Sequence, residues 1–266
     1  MSATYTGLWK RRSIQLGSAP YEDAIVFWLQ AEQYFADIRI PLNQPSSPQQ
    51  SLCDWDGAEL LRFSEFQAFA GTINATESWI CWNRTIDFRP DPHRVDQGNV
   101  HFEGNNLIEV GEFDGGRQKY LEVWVPQSMD GSDRLVLELA QEVNTNTQTV
   151  THPKALLVAV GGHFIRIYDD RCYPPDFVAP APTELSTSDL KRLMRFQVDY
   201  GKCRGEKPWQ ILLSNNPSRK GTTLQARTEY QAQWQHNIWM ESWKIDSGET
   251  LEHHWQVRES TRNPMI

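Results

Sequence analysis

Residues 99 to 126 constrain the fold most strongly, because they contain three strand-like runs joined by two tight turns. The turns carry Gly-Asn-Asn at 104–106 and Asp-Gly-Gly at 114–116. Glycine and asparagine readily adopt the positive φ angles that short hairpin turns require. The segment is therefore predicted to be a meander of three consecutive antiparallel strands.

Similar runs recur on both sides of this meander, bounded by glycine, proline or polar loops. About a dozen strands, no strand–helix–strand rhythm and one short helix within 186–195 predict an all-β, antiparallel architecture. Closure into barrels would remove the exposed sheet edges. The polar segment 127–133 lies near mid-chain. We therefore expect two antiparallel barrels in tandem, an N-terminal barrel over 1–127 and a C-terminal barrel over 128–266.

The composition narrows the possible partners. Asp plus Glu number 34 against 26 Lys plus Arg, and a net charge of −8 disfavours nucleic acid and anionic membrane surfaces. We find neither a signal-peptide core nor an apolar run long enough for a membrane span. Four scattered cysteines without a CxxC pair predict reduced thiols and a cytoplasmic location. Glycine-rich nucleotide motifs and clustered metal ligands are also missing, so no cofactor and no metal are predicted.

Charged residues occur inside apolar strand runs. In the run QYFADIRIP, alternation places Asp37 and Arg39 on one face and Ala36, Ile38 and Ile40 on the other. Such a charged face has three explanations: a solvent-exposed outer surface, a buried ion-pair network, or a ligand pocket.

Two other strands place a charge beside a large aromatic residue. Strict alternation in WICWNRTIDFRP puts Trp82, Arg84, Ile86 and Phe88 on one face, and Asp87 and Arg89 on the other. In YLEVW, Glu122 shares a face with Tyr120 and Trp124, and Glu109 lies between apolar neighbours in LIEVG. An outer face rarely carries such tryptophans and an apolar core rarely carries such charges, whereas a cavity accepts both. We therefore expect these charges, with Asp37 and Arg39, to face a barrel interior, where Arg84 would pair with Glu122 or Glu109.

Several short motifs resemble a known family. They are FAGT at 69–72, DQG at 96–98, LIEVG at 107–111, YLEVW at 120–124 and ALLVAVGGHFIRIY at 155–168. The family has a fungal representative described as a casein-kinase-interacting protein, and its fold is two lipocalin-like β-barrels side by side. Gly7 and Trp9 also resemble the Gly-x-Trp opening strand of lipocalin-type (calycin) barrels. The resemblance implies this architecture and suggests apolar ligand binding, but it carries over no catalytic residue.

Three functions follow from these observations. The leading hypothesis is binding or carriage of a small apolar or amphipathic molecule by Arg39, Trp82, Arg84, Tyr120 and Trp124. The second is a cofactor-independent isomerase, cyclase or hydratase, with Glu109, Glu122 and Asp37 as general acids or bases. The third is a scaffold for a protein partner, which the loops at 42–56 and 173–183 would contact. Homodimer formation is left open.

Overall fold

The computed structural model describes residues 5–43, 54–113, 118–203, 209–224, 228–235, 238–245 and 247–261. It contains two antiparallel sheets and two short α-helices, α1 (Gly57–Phe63) and α2 (Thr187–Leu193). Neither described helix has the length and apolar character needed to cross a membrane. The all-β, tandem barrel-like prediction is confirmed.

The first sheet closes on itself. Its strands are β1 (Gly7–Gln15), β2 (Pro20–Tyr21), β3 (Ala24–Gln30), β4 (Tyr34–Pro41), β5 (Gln67–Ala75), β6 (Trp79–Asp87), β7 (Gln97–Glu103), β8 (Asn106–Phe113) and β9 (Gln118–Pro126). β1 pairs with β3 on one side and with β9 on the other, which closes an eight-stranded barrel. β7, β8 and β9 form the predicted meander, of which the turn at 114–116 lies outside the described residues.

The second sheet is a half-barrel. Its strands are β10 (Arg134–Asn144), β11 (Thr149–Thr151), β12 (Lys154–Val160), β13 (His163–Asp169), β14 (Gln197–Lys202), β15 (Gln210–Ser214), β16 (Thr228–Gln235), β17 (Ile238–Lys244) and β18 (Thr250–Ser260). The order runs from β15 through β14, β13, β12, β10, β18 and β17 to β16. Within the described ranges no pairing joins β15 to β16, so the second unit is barrel-like without the closure of the first.

The sequence predicted one short helix, and the structure has a second. Predicted α2 begins after the N-cap Ser186, whose hydroxyl accepts from the Asp189 backbone N–H at 3.2 Å. α1 begins after Asp56, whose carboxylate accepts from the Glu59 N–H at 2.8 Å, while Glu59 accepts from the Asp56 N–H at 3.0 Å. This capping box, in which Glu59 follows Asp56 by three positions, is a helix-start signal present in the sequence, and the prediction of a single short helix did not take it into account.

The two sheets share one apolar core. The outward face of β4, through Ala36, Ile38 and Ile40, belongs to the same buried cluster as Val158 and Ile165 of the second sheet. The opposite face of β4, which carries Asp37 and Arg39, therefore points into the first barrel.

A buried arginine also bridges the two sheets. The Arg171 side chain is fully buried, pairs with Asp169 at 2.7 Å and donates to the backbone carbonyls of Phe88 and Asp87 at 3.0 and 3.1 Å. The end of β6 is thereby held against the second sheet.

Candidate functional site

The interior of the first barrel contains a cavity of about 1500 Å³. Its wall includes all eight residues that the sequence singled out: Asp37, Arg39, Trp82, Arg84, Glu109, Tyr120, Glu122 and Trp124. Alternation explains this placement, because the residues between them on each strand point out of the barrel. The catalytic and ligand-binding roles assigned to them stay predictions.

Three tryptophans form an aromatic cluster on the cavity wall. The ring of Trp28 lies 5.5 Å from that of Trp82 and 5.7 Å from that of Trp124, with interplanar angles of 75° and 73°. Edge-to-face packing of this kind holds aromatic rings in fixed orientations. Because all three side chains are at least nine-tenths buried and all three line the cavity, they offer an ordered apolar surface to anything inside it.

Several arginines line the same cavity, and we call three of them, Arg11, Arg39 and Arg84, the arginine trio. Arg11 donates to Glu122 at 2.6 Å and to Glu22 at 2.7 Å. Arg39 pairs with Asp37 at 2.8 Å and approaches Glu122 to 3.6 Å. Glu122 thus lies between two guanidinium groups. Asp37 is 2% exposed, and burial raises its pKa although the neighbouring Arg39 acts in the opposite direction.

The predicted pairing of Arg84 with Glu122 or Glu109 is wrong. Arg84 instead binds Asp96 at 2.6 Å and Asp87 at 3.0 Å. Its guanidinium carbon lies 3.3 Å from the centre of the Phe69 ring, a cation–π arrangement. Arg84 does line the cavity. The acids that bind it lie on its own strand and in the following loop, however, and not in the meander.

A β-bulge explains why Asp87 faces inward. The register places Gly71 opposite Arg84 but Ala70 opposite Ile86, so Thr85 is an extra residue on β6. The strict alternation expected for this strand is therefore broken after Arg84. Ile86 packs in the core between the sheets, and Asp87 turns into the cavity beside Arg84.

Glu109 has a different environment from the other interior acids. It accepts hydrogen bonds from the Tyr120 hydroxyl at 2.7 Å and from Trp124 Nε1 at 2.9 Å. In the antiparallel register it lies directly opposite Glu122. Burial, and after it the charge of Glu122, raises the pKa of Glu109 to about 8. At neutral pH this carboxyl group is therefore protonated inside the cavity.

Two glycines make room for this arrangement. A Cβ on Gly111 would stand 2.2 Å from the Tyr120 ring, and a Cβ on Gly98 would stand 2.9 Å from Glu109 Cγ. Real side chains do not approach so closely. The Tyr120–Glu109 hydrogen bond therefore depends on the absence of side chains at two neighbouring positions of β7 and β8.

Sequence reasoning missed four residues of the site: Arg11, Trp28, Phe69 and Asp96. Trp9 and Arg11 share a strand face, which is the same aromatic-beside-charge signal that singled out Arg84. Asp96 had no such signal, because no Phe, Tyr or Trp lies within five residues of it in the sequence. Only the folded structure brings its carboxylate to Arg84.

In the described part of the chain, no group of three or more His, Cys, Asp or Glu side chains is arranged to hold a metal ion. Cys81 and Cys172 are free thiols. Indole, guanidinium, carboxylate and phenol groups line the cavity.

Comparison with known proteins places this geometry in a family. The profile of the family described as Protein HRI1 matches residues 7–259 of the chain. The crystal structure of the uncharacterised protein YLR301w from Saccharomyces cerevisiae is similar over 96% of this chain and 98% of that one, with a TM-score of 0.55 and 13% identity. At this identity the likeness concerns the fold alone. No curated protein matches the sequence.

Proposed function

The chain belongs to the Protein HRI1 family, and we propose that it binds a small amphipathic molecule inside its first barrel. One observation carries the proposal: a cavity of about 1500 Å³ combines a buried indole cluster with ordered charged groups. Pockets for small molecules usually measure roughly 300–1000 Å³ and join an apolar surface to a few fixed polar groups. This cavity therefore has room for such a ligand together with water.

The wall is more polar than the sequence suggested, which favours an amphipathic ligand over a purely apolar one. Removing water from the arginine trio and its acids without new hydrogen bonds would oppose binding of a plain hydrocarbon. A molecule with an apolar end against Trp28, Trp82 and Trp124, and a polar end among the charges, avoids that loss. Carriage of such a molecule, as in lipocalin-like barrels, is part of this proposal.

Native mass spectrometry of the purified protein tests whether a small molecule accompanies it. Titration with a broad panel of amphipathic compounds, followed by tryptophan fluorescence, tests binding directly. Trp82→Leu should weaken any binding found, because Trp82 lines the cavity. Trp239→Leu is the matched control, since Trp239 is buried to a similar degree in the second sheet. No bound molecule and no spectral change with any compound would refute the proposal.

Glu109 favours a second candidate function, general acid catalysis on the bound molecule without a cofactor. A carboxyl group with a pKa of about 8 holds its proton at neutral pH and is able to donate it to a ligand. Asp37 and Glu122 are the accompanying candidate bases. Isomerase, cyclase or hydratase activity would be lost in Glu109→Gln, and turnover unchanged in that variant would exclude this role.

The scaffold hypothesis stays a prediction, suggested by the resemblance to a family whose fungal representative is described as a casein-kinase-interacting protein. Of the two loops expected to contact a partner, residues 44–53 lie outside the described residues, and the proline-rich segment 173–183 runs along the surface. The cytoplasmic location also stays a prediction. A pull-down from a lysate, with a variant of the 173–183 segment as control, tests the partner hypothesis.

A further inference from the structure

Acidic side chains outnumber basic side chains on the cavity wall. Ten carboxylic side chains but only six arginines and lysines line the cavity among the described residues. Seven of these acids and four of these arginines are not solvent-exposed. Between the low-dielectric walls of a barrel, such an imbalance attracts cations and repels anions. The charge of the ligand is therefore a property that the cavity wall can select.

The arginine trio is not available to an anion. Each of its members is already bound to at least one carboxylate, at 2.6 to 2.8 Å. A ligand carboxylate or phosphate would have to displace these protein acids, and each displaced acid would then be left buried without its partner. The three guanidinium groups of the trio thus organise the wall without offering a free anion site, whereas the cavity-lining Arg89 donates to the Ser64 carbonyl and forms no ion pair in the described ranges.

Glu109 is the interior acid that lacks a cationic partner. Its hydrogen bonds come from the neutral donors Tyr120 and Trp124, and in the described ranges no arginine, lysine or histidine forms an ion pair with it. The charged groups that face it are the acids Glu122 and Asp96. Each of them repels a negative charge on Glu109 and attracts a positive charge placed beside it.

From this geometry we infer that the ligand is an amphipathic cation, whose ammonium group lies beside Glu109 and whose apolar part packs against the indoles of Trp28, Trp82 and Trp124. The inference rests on the proposed function and specifies its ligand class. Trp124 donates its N–H to Glu109 and packs against Trp28, so this carboxylate lies at the edge of the indole cluster against which the apolar part of the ligand would pack.

Binding of the cation should release a proton. Glu109 is protonated in the empty cavity at neutral pH, and an ammonium group beside it favours the ionised carboxylate. Glu122 and Asp96 oppose that ionisation, and the nearby Arg11 and Arg39 offset Glu122. One carboxyl proton thus passes to solvent as the ligand enters, and no other bond changes.

Isothermal titration calorimetry with three indole probes of matched shape tests the inference: tryptamine as cation, indole-3-propionate as anion and tryptophol as neutral compound. We expect tryptamine to bind at least about tenfold more tightly than either of the others at neutral pH. Titrations in two buffers of different ionisation enthalpy should show release of up to one proton with tryptamine alone. Glu109→Gln should remove both the preference and the proton release, whereas Glu103→Gln, at an exposed position of the neighbouring strand β7 outside the cavity wall, should retain both.

The possible outcomes separate the two proposals. Equal or tighter binding of indole-3-propionate or tryptophol would overturn the cation inference and leave the cavity-binding proposal in place. No binding of any probe, together with no response to the broad panel, would overturn both. If Glu109→Gln does not fold, the proton release of the unmodified protein decides the inference by itself.

Discussion

Arg11 donates a hydrogen bond of 2.6 Å to Glu122 across β1 and β9, the two strands whose pairing closes the first barrel. Both side chains are at most 5% exposed. Arg11 also binds Glu22 and Asp23, so one guanidinium group joins the closing strands to the chain that follows β1. The closure of the barrel and the charge pattern of the cavity therefore depend on the same residue.

Replacement of this arginine should be strongly destabilising. We expect Arg11→Met to lower the free energy of unfolding by about 3–5 kcal/mol, because Glu122 would stay buried with its closest cation removed. Arg12→Met, at the exposed neighbouring position, should change it by no more than about 0.5 kcal/mol. Urea unfolding of both variants measures the difference. Equal effects would show that the pair does not stabilise the closed barrel.

Stability should depend on pH through Glu109. The unfolded chain releases the Glu109 proton near its ordinary pKa of 4.5, whereas the folded protein retains it up to about pH 8. Between these values the folded state binds more protons, so stability falls as pH rises, and the loss is complete above the folded pKa. We expect the loss to be on the order of 3–5 kcal/mol relative to Glu109→Gln. Urea midpoints across this pH range measure it, and parallel profiles for the two proteins would contradict it.

Arg84 should not tolerate lysine. Its guanidinium binds Asp87 and Asp96 and stacks on Phe69, and an ammonium group cannot make all of these contacts together. We expect Arg84→Lys to lower the free energy of unfolding by more than about 1 kcal/mol. Arg94→Lys, which changes a more exposed arginine that also binds Asp87, should stay within about 0.5 kcal/mol. Chemical denaturation with both variants tests this, and similar losses would count against the stacked geometry.

Arg171 should be needed to hold the two sheets together. Arg171→Met would remove the guanidinium donors from the carbonyls of Asp87 and Phe88 and from the Asp169 carboxylate, which would keep only the backbone N–H of residue 171. We expect a loss of about 3–5 kcal/mol. Arg195→Met removes an exposed arginine from its pair with Asp170, and should cost at most about 1 kcal/mol. Melting temperatures of both variants measure the difference, and a tolerated Arg171→Met would show that the association of the sheets does not depend on this arginine.

The domain prediction leads to a fragment experiment. A chain ending at Gln127 retains every strand of the closed barrel, so we expect dispersed NMR signals from a folded unit. It would also expose Ile38 and Ile40, which the second sheet covers in the full chain. We therefore expect the fragment to associate with itself in size-exclusion chromatography. An unfolded spectrum would show that the barrel requires the half-barrel in order to fold.

The sequence was sufficient for features that depend on local chemistry. The meander follows from turn residues and alternation, α2 follows from the Ser186 cap, and the inward position of Asp37 and Arg39 follows from strand geometry together with their apolar neighbours. The capping box at Asp56 is an equally local signal, so α1 could also have been predicted from the sequence.

Partners across the barrel were decided only by the tertiary structure. Arg11 and Glu122 are separated by 111 positions, and no local pattern shows that β1 closes against β9. The bulge at Thr85 shifts Asp87 into the cavity, and the loop before β7 brings Asp96 to Arg84. The physical reason is that alternation assigns a side chain to a face, whereas register, bulges and sheet closure assign it a neighbour. Register, bulges and closure depend on the packing of the whole sheet. For this reason the sequence placed Arg84 in the cavity correctly but paired it with the wrong acids.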